Sequence, residues 1–221
     1  MVQVKICGNT AAEDARAAEA ARADLIGLII EPPVETPRKI TLDRARDIAR
    51  SLLKPVVAVL VDPTPEFALK AADATNAWAV QLSGNEPLDL VRKITDGVRT
   101  FKTVHVEPDG RIRLPPGMAE PGAYLRGLED AADFLLLDSA APGKAGGTGR
   151  THNWSNARAT KELVGIPLIL AGGLTPDNVA QAVAEVDPWG VDVASGVEAS
   201  PGRKDPARMK LFVSNAKGRK P

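Results

Sequence analysis

The chain has 221 residues, 44% hydrophobic and 25% charged, and Lys plus Arg and Asp plus Glu each total 28, for a formal net charge of zero. That length suits one large domain or two small ones with a sizeable core, and the balanced charge gives no global field to attract nucleic acid or an anionic membrane. A single cysteine forms no internal disulfide, no charged-then-apolar signal segment follows Met1, and no apolar run nears the roughly 18 residues of a membrane span; a reducing cytosol is the expected compartment.

From Met1 onward, strand-length apolar runs alternate with helix-length segments rich in alanine, leucine and paired charges. Strands are predicted at residues 2–7, 24–30, 55–61, 78–82, 99–106, 133–138, 166–171 and 189–194. Helices are predicted at 10–22, 41–53, 65–75, 87–95, 120–131, 155–164, 175–186 and 205–215, with Thr10, Thr41, Ser155 and Thr175-Pro176 as candidate starts. Residues 107–119, rich in Pro and Gly, read as an irregular insertion between the fifth strand and its helix. The strand runs are continuously apolar, as a parallel sheet covered on both faces requires. Eight βα units predict a single-domain (β/α)₈ TIM barrel over 1–216, of class α/β, followed by a frayed basic tail at 217–221. A doubly wound sheet would show G-x-G-x-x-G after its first strand, and only Gly8 stands there.

In a TIM barrel the C-terminal strand ends form one face, where catalytic groups from different strands meet. The predicted tips are Cys7-Gly8, Glu31-Pro32, Asp62-Pro63, Gln81-Leu82-Ser83-Gly84, Glu107, Asp138-Ser139, Ala171-Gly172-Gly173 and Ala194-Ser195-Gly196. Ten of the 19 glycines fall between Gly143 and Gly202, mostly after the last three strands, where exposed backbone N–H groups beside helix starts make an anion site. Tight turns alone are the plainer reading of those glycines. The loop Gly143-Lys144-Ala145-Gly146-Gly147-Thr148-Gly149 lacks the P-loop order and reads as a lid over substrate or as a flexible linker.

Taken alone, Cys7 reads as a small buried side chain, and Asp138 as either a loop cap or a proton donor. Across a barrel mouth the two become a base and an acid on opposite sides, which an isomerase needs to move a proton from carbon and another to oxygen. Ionising an ordinary thiol at pH 7 costs roughly 2 kcal/mol, a demand that Lys5 or a helix end could reduce. Arg38 is either a solvated loop charge or a bidentate clamp for a carboxylate. His105 and His152 lack metal-ligand spacing, no paired carboxylates suggest a metal, and no G-x-S-x-G elbow occurs. Trp78, Trp154 and Trp189 read as packing residues.

Several segments together resemble one family in their order along the chain. They are Val4-Lys5-Ile6-Cys7-Gly8, Thr36-Pro37-Arg38, Val80-Gln81-Leu82, Leu136-Leu137-Asp138-Ser139, Gly146-Gly147-Thr148-Gly149 with Trp154, and Leu170-Ala171-Gly172-Gly173-Leu174-Thr175-Pro176 with Asn178-Val179. The last is Val191-Asp192-Val193-Ala194-Ser195-Gly196-Val197-Glu198 with Gly202 and Lys204-Asp205. The set, from Met1 to about Phe212, resembles phosphoribosylanthranilate isomerase of tryptophan biosynthesis. The resemblance implies a cofactor-free Amadori rearrangement of N-(5-phosphoribosyl)anthranilate to 1-(2-carboxyphenylamino)-1-deoxyribulose 5-phosphate, by a monomer or homodimer. It implies Cys7 as general base, Asp138 as general acid, and Arg38 on the anthranilate carboxylate. Gln81 and Ser83 would complete the substrate site, and Gly146, Gly147, Gly172, Gly173, Ser195 and Gly196 would hold the phosphate. Family members commonly carry histidine where this chain has Ser83, and Ile29 to Thr36 lacks the family's aromatic and serine-rich pattern. Two other readings stand beside this one: a sugar-phosphate-binding barrel without turnover, and a histidine-pathway isomerase, which expects an acid where this chain has Cys7.

Overall fold

The structure, a computed structural model, describes residues 1–107, 110–138 and 154–218. Among these, eight strands form a parallel barrel: β1 (Gln3–Ile6), β2 (Leu25–Ile30), β3 (Val56–Leu60), β4 (Ala79–Leu82), β5 (Thr100–His105), β6 (Phe134–Asp138), β7 (Leu168–Ala171) and β8 (Gly190–Val193), and a two-residue strand, Lys39–Ile40, adds in parallel to the end of β2 as a ninth member of the sheet. β1 pairs with β2 through Lys5 and Leu25, and with β8 from Gln3–Gly190 to Ile6–Val193, so the sheet closes on itself. Eight helices surround it: α1 (Ala12–Ala20), α2 (Leu42–Ala49), α3 (Pro65–Thr75), α4 (Leu88–Thr95), α5 (Pro121–Glu129), α6 (Trp154–Leu163), α7 (Val179–Val186) and α8 (Pro206–Ala216). The predicted barrel is what the chain forms.

Strand alternation splits the core into two shells. Val4, Ile6, Leu28, Val80, Leu82, Val104, Leu135, Leu137 and Val191 point outward and pack beneath the helices. Cys7, Leu25, Val57, Val59, Ala79, Phe101, Leu136 and Ile169 point into the barrel. Burial on both faces explains why these strands carry no polar stripe toward solvent.

Helix starts follow local capping chemistry, with corrections to the predicted boundaries. The Thr41 hydroxyl accepts from the Arg44 N–H, while Thr64 caps α3 ahead of Pro65, whose missing N–H costs nothing at the first helical position. Thr10 does not cap α1. Its hydroxyl instead donates to the Gly202 carbonyl at 2.9 Å, tying the loop after β1 to the segment after β8. Ser155 lies inside α6 rather than ahead of it. Thr175-Pro176 forms a turn, and α7 begins four residues later, because the Asn178 side chain accepts from the Thr175 N–H and donates to the Gly173 carbonyl. Residues 110–119 are irregular apart from a bridge between Val106 and Ile112. Lys217 is not frayed: its ammonium sits 2.7 Å from the Asp24 carboxylate, so any tail starts beyond it.

Candidate active site

Cys7 directly follows β1, its N–H donating to the Val193 carbonyl of β8, and it is only 5% exposed inside the barrel mouth. The turn that follows is held by Asn9, whose amide donates to the carbonyls of Ile6 and Gly27. Gly8 sits at φ +73°, and a Cβ there would lie 2.6 Å from Arg38 Cδ, so glycine both permits the turn and lets Arg38 lie across it. Lys5, one inward position below Cys7, is fully buried and places its Nζ 3.0 Å from Asp192 Oδ1 of β8. A Cβ on Gly27 would meet both Cys7 Sγ and Lys5 Nζ, so thiol and ammonium share one patch of the wall.

Lys5 was expected to make the thiolate easier to form. Burial outweighs it: desolvation raises the Cys7 thiol above its ordinary value, and the Lys5 ammonium only partly pulls it back. The reason is visible in the pairing, since the charge of Lys5 is already answered by Asp192. Lys5 itself stays charged; burial pulls its pKa down, but Asp192 and the thiol beside it hold it above the usual lysine value.

Asp138 ends β6, nearly across the barrel from Cys7, with its side chain 30% exposed. Its strand neighbours in register are His105 on β5 and Ala171 on β7. His105 Nδ1 lies 4.0 Å from Asp138 Oδ2, and His105 Nε2 lies 3.2 Å from the Ser83 carbonyl. Gln81, on β4, and Ser83, just after it, stand on the same side of the barrel mouth. The Gln81 amide donates to the hydroxyls of Ser83 and Thr103, and those hydroxyls are 3.0 Å apart.

Arg38 is not a free clamp. Its Nε and Nη2 donate to both carboxylate oxygens of Glu198 at 2.7 and 2.6 Å, and Lys204 pairs with the same carboxylate at 3.0 Å while donating to the Ala194 carbonyl. The hydrogen bonds that Arg38 donates to Glu198 raise its guanidinium further. Burial pushes the Glu198 carboxyl up, but Arg38 and Lys204 outweigh it and hold the group below the usual range.

The two glycine turns lie side by side on adjacent strands. Gly172 and Gly173, after β7, have φ of +88° and +62°. Ser195 and Gly196 open a single 3₁₀ turn after β8, and a Cβ on Gly196 would overlap the Leu174 carbonyl, so the turns touch backbone to backbone. Gly146 and Gly147 lie outside the described residues, as does the rest of the expected lid.

Cys7, Asp138, Gln81, Ser83 and the turns after β7 and β8 therefore open on one face, with Arg38 over its rim. Sequence reasoning missed Asp192, Thr103, His105, Glu198 and Lys204 as parts of this face. A usable signal existed for the first three: in strands otherwise filled with apolar residues, each is a polar residue at the parity of the inward positions. Glu198 and Lys204 gave no such signal, because they lie on a small hairpin (residues 198–200 and 203–204) that only the fold brings to Arg38. Among the described residues no three His, Cys, Asp or Glu side chains group as metal ligands.

The family model for N-(5'phosphoribosyl)anthranilate (PRA) isomerase matches residues 4–215. An N-(5'-phosphoribosyl)anthranilate isomerase of Halobacterium salinarum is 41% identical over 221 residues, covering 98% of this chain and 96% of the relative. One of Geobacter sulfurreducens is 40% identical, covering 99% and 100%. Among solved structures, phosphoribosyl anthranilate isomerase from Thermotoga maritima superposes with a TM-score of 0.84 at 37% identity, over 99% of this chain and 100% of that one. A further structure, of the enzyme in complex with reduced 1-(o-carboxyphenylamino)-1-deoxyribulose 5-phosphate, gives 0.80 at 35% identity, with coverage of 99% and 100%. With a family match over nearly its whole length and relatives of about 40% identity from end to end, the chain belongs to the N-(5'-phosphoribosyl)anthranilate isomerase family.

Proposed function

We propose that this chain catalyses the Amadori rearrangement of N-(5-phosphoribosyl)anthranilate to 1-(2-carboxyphenylamino)-1-deoxyribulose 5-phosphate in tryptophan biosynthesis, using only its own acid and base groups. The observation that carries the reading is that a thiol at the tip of β1 and a carboxyl at the tip of β6 stand at the same end of a barrel of this family. A relative of 35% identity that holds the reduced product supports the same substrate.

In this reading the substrate phosphate rests on the backbone of Gly172, Gly173, Ser195 and Gly196. The anthranilate carboxylate meets the Nη1 side of Arg38, the part of the guanidinium not engaged by Glu198. Gln81 and Ser83 border the sugar. Asp138 protonates the ribose ring oxygen as the C1′–O bond opens, the anthranilate nitrogen supplying the electron pair that forms the Schiff base. The positive charge on that Schiff base acidifies C2′, and Cys7 as thiolate removes its proton to give the enolamine, which tautomerises to the ketone. Lys5 supports the thiolate at the moment it forms. A free thiol as base fits a reducing cytosol, and a site held within one barrel serves a monomer or a homodimer equally; a dimeric relative from Thermotoga maritima is known.

The test is to mix the purified protein with freshly formed phosphoribosylanthranilate and follow loss of its fluorescence. Turnover that disappears in Cys7→Ala and in Asp138→Asn, with phosphate-analogue binding retained, is the expected result. No fluorescence loss at high enzyme concentration rejects the reaction, and a near-normal rate in either variant rejects that residue's role.

A further inference from the structure

His105, on β5, stands directly opposite the proposed acid, an arrangement the mechanism above does not use. The ring spans a gap between two strands. Its Nε2 is 3.2 Å from the Ser83 carbonyl, and its Nδ1 is 4.0 Å from Asp138 Oδ2. A carbonyl oxygen only accepts, so Nε2 must carry a proton. In the neutral ring Nδ1 is then a bare lone pair aimed at the Asp138 carboxyl, and in the charged ring it is an N–H aimed at the same atom. The small Ser83 side chain turns away to Thr103 and Gln81, leaving its backbone to orient the imidazole.

Resting on the isomerase reading, we propose that His105 is a positioning residue that keeps Asp138 supplied with the proton it delivers. An ordinary aspartic acid is about 0.1% protonated at pH 7, so loading it in advance costs roughly 4 kcal/mol. An imidazole, with an ordinary value near 6.5, holds a proton at pH 7 far more readily. The pair shares one proton. The His105 Nδ1–H bond breaks as a new O–H forms on Asp138, Asp138 passes that proton to the opening ring oxygen and returns to carboxylate, and the neutral imidazole recovers a proton from water. The 4.0 Å gap exceeds a charge-assisted hydrogen bond by about 1 Å, so the transfer requires the two side chains to approach by that much.

Among the described residues, other polar and titratable groups face the pair from the neighbouring strands. From β8, Asp192 senses the negative charge of Asp138, and it is itself paired with Lys5 of β1. Cys7 also faces in from β1. Glu107, two residues beyond His105, is engaged by Arg113 at 2.7 Å. β4 offers the uncharged Gln81 and Ser83, and β7 offers Ala171.

The fluorescence assay on the full chain tests this with His105→Gln, which keeps an N–H donor for the Ser83 carbonyl but cannot hold an extra proton, and with His105→Ala. In the parent, kcat falls on the alkaline side as the pair loses its proton. Both variants are expected to lose about 10–100-fold in kcat with KM little changed, and their alkaline fall is expected to begin at lower pH. In an Asp138→Asn background the His105→Gln change is expected to cost nothing further, because the residue acts through Asp138. A His105→Gln enzyme with parental kcat and pH profile overturns the proposal. So does a loss that multiplies that of Asp138→Asn, or a rise in KM with kcat intact. A parent protein without turnover rejects the isomerase reading itself, which separates the two failures.

Discussion

The two ends of the barrel interior are built from the same strands and have opposite chemistry. At the N-terminal end, Trp78, Phe101, Phe134 and Trp189 stack with ring centroids 4.7 to 5.9 Å apart, and Arg99 lies 4.3 Å from the centre of the Trp78 ring. At the C-terminal end stand Cys7 with the Lys5–Asp192 pair, the Gln81–Ser83–Thr103 hydroxyl network, and His105 beside Asp138. β5 goes from Phe101 to His105 and β6 from Phe134 to Asp138, each in four residues. An apolar plug at one end contributes stability and excludes water; it leaves the other end able to hold polar groups in the positions that chemistry requires.

That division predicts separable losses. The largest effect is expected at the mouth: Asp138→Asn lowers kcat by about 10²–10⁴-fold, while a denaturant titration shows stability changed by no more than about 1 kcal/mol. Phe134→Ala is the reciprocal case. It is expected to cost about 3–5 kcal/mol in the same titration, with kcat per folded molecule little altered. If the aromatic substitution removed activity without loss of stability, the two ends would not be independent.

The Lys5–Asp192 pair joins the two functions and sharpens the comparison. Lys5→Met takes away the cation that pulls the Cys7 thiol down, so the thiol moves further above its ordinary value. Alkylation of Cys7 by iodoacetamide is therefore expected to need a higher pH than in the parent. The same variant loses stability, because Asp192 is left buried without its partner.

A smaller effect is expected at the rim. Glu198 is held below the ordinary carboxylate range by Arg38 and Lys204 against the opposing effect of burial. A depressed folded-state value contributes stability above the ordinary glutamate pKa of about 4.3, and that stability disappears as pH falls through the folded value. Glu198→Gln is expected to lower stability at pH 7 by about 1–3 kcal/mol, with the gap to the parent closing in acid. It should also weaken substrate binding, read as a higher KM, by releasing Arg38.

Much of the fold was legible because it depends on local pattern. Continuous apolar runs such as Val56–Leu60 and Phe134–Leu137 can be satisfied only by a strand covered on both faces, and the turn residues between runs mark where each strand ends. Helix starts were less legible where a side chain had another partner: Thr10 bonds to Gly202 and Thr175 serves a turn closed by Asn178, contacts that span 192 residues in one case and three in the other.

By itself the sequence determined the βα alternation, the closed parallel barrel, and the presence of Cys7 and Asp138 at strand tips, since period and strand length follow from side chains along a continuous stretch. Only the tertiary structure decided what those groups meet. That Lys5 is neutralised by Asp192, that Arg38 is held by Glu198, and that His105 faces Asp138 all depend on strand register and on a hairpin returning to the mouth. The charge state of a buried group is set by neighbours far away in the chain, and no local pattern encodes them.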